Sequence, residues 1–148
     1  MKITILSISD SDKHFSSAID EYNKRVWKSV SIVNLKPQKH GTQSQIIQKE
    51  TDYIIEKLQS LTKPHTILLS KDGKSFNTEQ FASTLQRFNA STFIIGWPYG
   101  LDEERLTPYI STKISFWSIT LPHGLAKLTL LEQIYRAQCI HSGKKYHY

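Results

Sequence analysis

Near the end of the chain, Glu132 and Arg136 stand four residues apart, a spacing that puts two side chains on one helix face. A carboxylate and a guanidinium so placed form either an ordinary surface ion pair or an orienting pair beside a site. Beyond them lies a basic aromatic tail of Lys144, Lys145, Tyr146, His147 and Tyr148. Cations beside aromatic rings suit phosphate contact and base stacking. They are equally compatible with a solvated terminus. Upstream, Gly96-Trp97-Pro98-Tyr99-Gly100 sets a proline between two glycines directly after an apolar run. Glycine permits close approach of a ligand and proline fixes one backbone angle, so this loop either cups an adenine or ribose or is a plain strand-to-helix turn. Thr120-Leu121-Pro122-His123-Gly124 is a second constrained loop. Its His123 is a base, a stacking group or a helix-entry residue. Neither the GxGxxG nor the GxxxxGK[ST] phosphate-binding pattern occurs. Six histidines without clustered acids or thiols argue against a metal site. The single Cys139 sits in an apolar stretch and reads as core.

Those residues need elements to hold them. Apolar runs predict strands over 2–8, 29–35, 65–70, 92–95 and 114–119. Helical periodicity predicts helices over 12–27, 46–61, 77–88 and 125–140, with a short one from Asp102. Asn77 with Gln80 has the form of a capping box. Gln38–Ser44 reads as an exposed loop and Lys71–Lys74 as a turn. Alternating strands and helices predict an α/β fold with a largely parallel sheet, in one domain spanning 1–148. Ligands of such sheets sit beyond the carboxyl ends of strands. The turns there follow Leu69, Ile95 and Ile119.

Composition narrows the classes. Hydrophobic residues make up 39% and charged residues 22% of 148, as in a folded chain. Nineteen basic against thirteen acidic residues give a net charge of +6, which suits a polyanionic partner. No run is long enough for a membrane span, and the start lacks the cleavage site of a signal peptide. The expected location is the cytoplasm.

Taken in order, several segments resemble the RlmH family of SPOUT methyltransferases. They are the opening Met-Lys-Ile-Thr-Ile-Leu, Glu21-Tyr22-Asn23-Lys24-Arg25, Leu69 through Gly73-Lys74, and Phe93-Ile94-Ile95-Gly96 with Gly100-Leu101. Thr120-Leu121-Pro122-His123, Leu131-Glu132-Gln133-Ile134-Tyr135-Arg136-Ala137 and the closing Tyr146-His147 complete the set. The resemblance covers nearly the whole chain. It implies a mostly parallel sheet flanked by helices, with a C-terminal deep trefoil knot, in a protein working as a homodimer. It implies transfer of a methyl group from S-adenosylmethionine to ring nitrogen 3 of a pseudouridine in large-subunit ribosomal RNA, free or in the assembled ribosome. By the same resemblance the cofactor contacts Leu69, Gly96, Phe116, Trp117, Ser118, Ile119, Thr120 and Leu121. Glu132, Arg136, Tyr146 and His147 match the family's functional charged pair and tail. Arg136 would hold phosphate or neutralise developing charge, and His147 would remove a proton or orient the base. Lys127, where the family commonly has arginine, together with Lys144 and Lys145, is expected to meet RNA.

Two departures leave a second reading open. Trp97 and Tyr99 replace small residues of the family loop, and Tyr148 ends the chain where the family has a basic residue. A cofactor site narrowed by Trp97 would leave a non-catalytic RNA- or ribosome-binding protein on the same scaffold. An α/β nucleotide hydrolase is the third class, and the chain lacks its phosphate loop. The apolar face around Leu128, Leu131 and Tyr135 is either dimer contact or internal core.

Overall fold

Alternating apolar residues in five short segments set up two buried faces. In the computed structural model they form one sheet, described for residues 1–148 apart from Ser11, Lys63, Trp97 and Pro98. The strands are β1 (Lys2–Ile8), β2 (Val30–Leu35), β3 (His65–Ser75), β4 (Ala90–Ile95) and β5 (Thr112–Ser115). All neighbouring pairs are parallel, in the order β2-β1-β4-β3-β5. The helices are α1 (Ser16–Arg25), α2 (Gln43–Gln59), α3 (Thr78–Gln86), α4 (Glu103–Leu106) and α5 (His123–Ser142).

One sheet face, with Ile3, Ile5, Ile67, Phe93 and Ile95, packs on Ile19 of α1, Phe81 and Leu85 of α3, and Leu130 and Ile134 of α5. The opposite face, with Leu6, Ile8, Leu68 and Ile94, packs on Ile54 and Leu58 of α2 and Leu106 of α4. Both faces of a parallel sheet are thus covered, as such sheets require. Cys139 lies in the core at 2% exposure. No described helix is long and apolar enough to cross a membrane.

Several boundaries differ from the sequence-based expectation, and α1 spans Ser16–Arg25 rather than 12–27. The capping box of Asn77 and Gln80 opens α3, and a second one, Thr42 with Gln45, starts α2 inside the expected Gln38–Ser44 loop. β5 stops at Ser115 rather than Ile119, because the Ser115 hydroxyl donates to the Trp117 carbonyl at 2.5 Å and turns the chain out of the ladder. Lys71–Lys74 is not a free turn but part of a bulge within β3, where Leu69 and Lys74 both stand opposite Ile114. α5 begins at His123 rather than Leu125, with Ala126 N–H donating to Pro122 C=O at 3.0 Å. Leu131 is fully buried, which assigns it to the core rather than to a dimer face; Leu128 and Tyr135 pack partly buried beside it.

Glu50 of α2 is fully buried, with Oε2 accepting from Gln38 N–H at 3.0 Å and no hydrogen-bond partner at Oε1 among the described residues. Burial raises its pKa above the ordinary carboxylate value. A raised folded pKa contributes stability that is complete below the unfolded value near 4.5 and lost as pH climbs through the folded value. Glu50→Gln should therefore melt at the same temperature as the parent near pH 4 and at a higher one at pH 7. A thermal-denaturation series across pH measures both.

A candidate cofactor cavity and a charged helix face

The bulge of β3 lies beside the carboxyl ends of β4 and β5, and this bulge with the segments that follow those two strands walls a cavity of about 730 Å³. Leu69 to Asp72 come from the β3 bulge, Ile95, Gly96, Tyr99 and Gly100 from the turn after β4, and Phe116, Trp117, Ile119, Thr120 and Leu121 from the segment after β5. His123 and Ala126 of α5 close one side. The three segments expected to hold a ligand thus meet in one place, the first of them a bulge rather than a turn. Ser118 belongs to the same segment without lining the cavity. Gly100 takes a positive φ of 77°, a conformation that side chains disfavour. Trp97 and Pro98 lie outside the described residues. Tyr99 lines the cavity with half its surface exposed.

The His123 ring is anchored from behind. Its Nε2 lies 3.1 Å from Asp12 Oδ1. Burial lowers its pKa, opposed by Asp12 and assisted by Lys127. The imidazole is accordingly neutral at pH 7. Asp12 also accepts from Ser9 Oγ at 3.1 Å and from Lys127 Nζ at 2.6 Å, and Lys127 donates in addition to Asn34 Oδ1 at 3.0 Å. Lys127 is 1% exposed. The expected contact between Lys127 and RNA is therefore corrected: its ammonium is enclosed between α5, β2 and the Asp12 turn, and it neutralises a carboxylate inside the protein.

A second cluster forms where the tail folds back on α5. Arg136 binds Glu132 Oε1 through Nε at 3.0 Å and through a shorter contact from Nη2. The Tyr146 hydroxyl donates to the same oxygen at 3.2 Å and meets the Tyr22 hydroxyl at 3.2 Å. The Arg136 guanidinium lies over the Tyr146 ring, 4.7 Å from its centre. Burial and these partners push the Tyr146 phenol upward, so it stays protonated. His147 Nδ1 is 3.4 Å from Arg136 Nη1, and its Nε2 is 2.8 Å from Glu79 Oε1. A guanidinium donates only, so the neutral ring carries its proton on Nε2, toward Glu79. Lys144 donates to the Tyr135 hydroxyl at 3.2 Å, and Lys145 is exposed.

Glu132, Arg136, Tyr146 and His147 do not line the large cavity of the same chain. His147 lines a smaller cavity of about 330 Å³, and the segment Ile114–Trp117 borders both cavities. Sequence reasoning missed Asp12, Glu79 and Tyr22. The signal for Asp12 was its place just past the carboxyl end of β1, on the edge where the other turns gather.

Residues 1–147 match the family model described as "Predicted SPOUT methyltransferase". The chain belongs to the SPOUT methyltransferase family. Among similar proteins, three carry the name "Ribosomal RNA large subunit methyltransferase H". The one from Mycoplasmopsis pulmonis (strain UAB CTIP) is 36% identical over 149 aligned positions, with 99% of each chain covered. The one from Metamycoplasma arthritidis (strain 158L3-1) is 37% identical over 150, and that from Leuconostoc citreum (strain KM20) 35% over 161, again with 99% of each chain covered. In this SPOUT methyltransferase the cavity has room for a nucleoside-sized ligand. Its walls combine apolar Leu69, Ile95, Phe116 and Ile119 with the carboxylate of Asp72 and with that of Glu103, which Lys113 already pairs at 2.6 Å. Apolar walls suit a purine and carboxylates suit a cationic sulfonium or ammonium, so the residues present fit S-adenosylmethionine.

Proposed function

We propose that this SPOUT methyltransferase, a single domain over 1–148, uses S-adenosylmethionine to methylate ring nitrogen 3 of a pseudouridine in large-subunit ribosomal RNA in the cytoplasm. The observation that carries this reading is the convergence of the β3 bulge and two strand-end turns on one cavity, in a chain whose full-length relatives bear the name of a ribosomal RNA methyltransferase. The methyltransferase family match over residues 1–147 and the relatives' names favour catalysis over a scaffold that only binds RNA.

S-adenosylmethionine supplies an electrophilic methyl group when bound. Leu69, Gly96, Phe116 and Leu121 would hold it by packing and backbone contacts, with Trp117, Ile119 and Thr120 at the same wall and Ser118 setting the path of that segment. Glu132 fixes Arg136, and Arg136 faces RNA phosphate or the charge that develops on the pyrimidine. Tyr146 holds Glu132 from the tail. His147 Nδ1 has a lone pair that now faces Arg136 and exchanges that donor for the pyrimidine N–H, taking its proton. Lys144 and Lys145 meet phosphate. The tail and the cavity are separate within one chain, so we propose a homodimer in which the tail of one subunit completes the cavity of the other. The family also implies the C-terminal trefoil knot.

His147→Ala tests the assignment of the proton acceptor. In transfer of a labelled methyl group to ribosomes, kcat should fall by about 10²–10⁴ while affinity for S-adenosylhomocysteine stays unchanged. Turnover at the parental rate would remove His147 from the mechanism.

A further inference from the structure

Trp27 follows the last residues of α1 and precedes β2, so it lies at the amino edge of the sheet, opposite the cavity. Its backbone is fixed at both ends of the peptide unit. Trp27 N–H donates to Gln138 Oε1 of α5 at 3.1 Å, and Trp27 C=O accepts from Val30 N–H at 2.9 Å. The indole is nonetheless 48% exposed. A large ring held on a pinned backbone and left half in water is a preformed stacking surface.

Its surroundings are cationic. Lys24 and Lys28 flank it in sequence and are exposed. Lys2 enters β1 one position before Ile3, whose N–H donates to Ser29 C=O at 2.9 Å, so its exposed side chain belongs to the same edge. α5 runs back against the strands to end here, followed by Lys144. The Tyr22–Tyr146 contact at 3.2 Å ties the tail to α1. Asp20 and Glu21 are the exposed acids of α1, and Glu21 is engaged by Arg25 at 2.7 Å. Lysines near helix carboxyl ends complement helix dipoles, which accounts for Lys24. That effect does not account for Lys28, which lies beyond the helix, or for the exposed indole. Two such faces repel each other, so pairing of this edge with the same edge of a second copy is disfavoured.

We propose that this edge is a second RNA contact, where an unpaired base stacks on Trp27 and the adjoining phosphates pair with Lys24, Lys28 and Lys2. The proposal rests on the RNA-methylating reading above and adds a docking point remote from the cavity of the same chain. Every base offers a π-face and every linkage a charge, so this contact is tolerant of sequence. Its role is to grip RNA flanking the modified stem-loop and raise occupancy, leaving the chemical step alone.

The test uses the full chain and a labelled oligouridylate of about twelve nucleotides, long enough to span several phosphates. Trp27→Ala should weaken binding about tenfold, Trp27→Phe should retain most of it, and Lys28→Glu should lower the slope of log affinity against log salt by about one. Affinity for S-adenosylhomocysteine and the melting temperature should hold in all three, which separates lost contact from lost fold. In methyl transfer to ribosomes, Trp27→Ala should raise KM with kcat unchanged. Equal oligouridylate affinity for parent and Trp27→Ala would overturn the proposal. So would a parent that ignores oligouridylate, or one that binds polyglutamate in the same Trp27-dependent way, which would mark an acidic protein as the partner. If the parent transfers no methyl group yet Trp27→Ala loses the oligonucleotide, the catalytic reading fails and this contact stands.

Discussion

Gly73→Ala should abolish measurable binding of S-adenosylhomocysteine. Gly73 sits in the β3 bulge against β5, and a Cβ there would lie 2.5 Å from the Ile114 carbonyl carbon and 2.7 Å from its nitrogen. Both are backbone atoms and have no rotamer by which to give way. The added methyl must push β5 outward or flatten the bulge. Either movement displaces two walls of the cavity together, Leu69–Asp72 on one side and Ile114–Trp117 on the other. Overpacking of this kind costs about 1–3 kcal/mol of stability. For a chain of this size that lowers the melting temperature by roughly 2–12 °C. The affinity loss should be larger, about a hundredfold or more, since every wall contact of the ligand shifts at once. Isothermal titration and thermal denaturation measure the two effects separately. Parental affinity in this variant would place the cofactor somewhere other than this cavity.

The second large effect is expected at Asp12. Its carboxylate is the charged partner of Lys127 Nζ at 2.6 Å, and Lys127 is almost entirely enclosed. Asp12→Ala leaves a buried ammonium with only the neutral Asn34 Oδ1 at 3.0 Å. Breaking a buried pair from one side costs about 3–5 kcal/mol, because the remaining charge has lost its partner and is still out of water. The melting temperature should fall by about 10 °C or more. Replacing both partners removes the stranded charge, so Asp12→Ala combined with Lys127→Met should recover most of the loss. A fall of less than about 1 kcal/mol in the single variant would show that the pair is solvated. The same carboxylate backs His123, so the single variant should also loosen the cavity wall and weaken S-adenosylhomocysteine binding.

The layout of the sheet was legible because its signals are local. Alternation in Ile3, Ile5, Leu6 and Ile8, and in Phe93, Ile94 and Ile95, is the two-faced pattern of a covered parallel sheet. The turn after Ile95 was legible for the same reason, whereas the turn expected after Leu69 is a bulge inside β3. The end of β5 was not, because a single Ser115 hydroxyl outcompetes the ladder there. The burial of Lys127 was missed: it was expected to meet RNA, although Gly124, Lys127, Leu130, Leu131 and Ile134 share the buried face of α5 at helical spacing. Its carboxylate partner comes from a turn more than a hundred residues away in the chain, at Asp12. The tail was the hardest part. Glu132 and Arg136 declare themselves by spacing, whereas Tyr146, His147, Glu79 and Tyr22 meet only through tertiary folding. Their roles entered through family resemblance, and the structure supplies the hydrogen bonds on which those roles can act.

Mass mapping of ribosomal RNA bears most directly on the proposed reaction. Large-subunit RNA from cells lacking this protein would be presented as ribosomes, with S-adenosylmethionine, with and without the purified chain. The expected result is a single pseudouridine that gains one methyl group on ring nitrogen 3 only when the protein is present. Unmodified RNA from a preparation that still binds S-adenosylhomocysteine would contradict the account, and a methyl group on any other nucleotide would contradict its substrate.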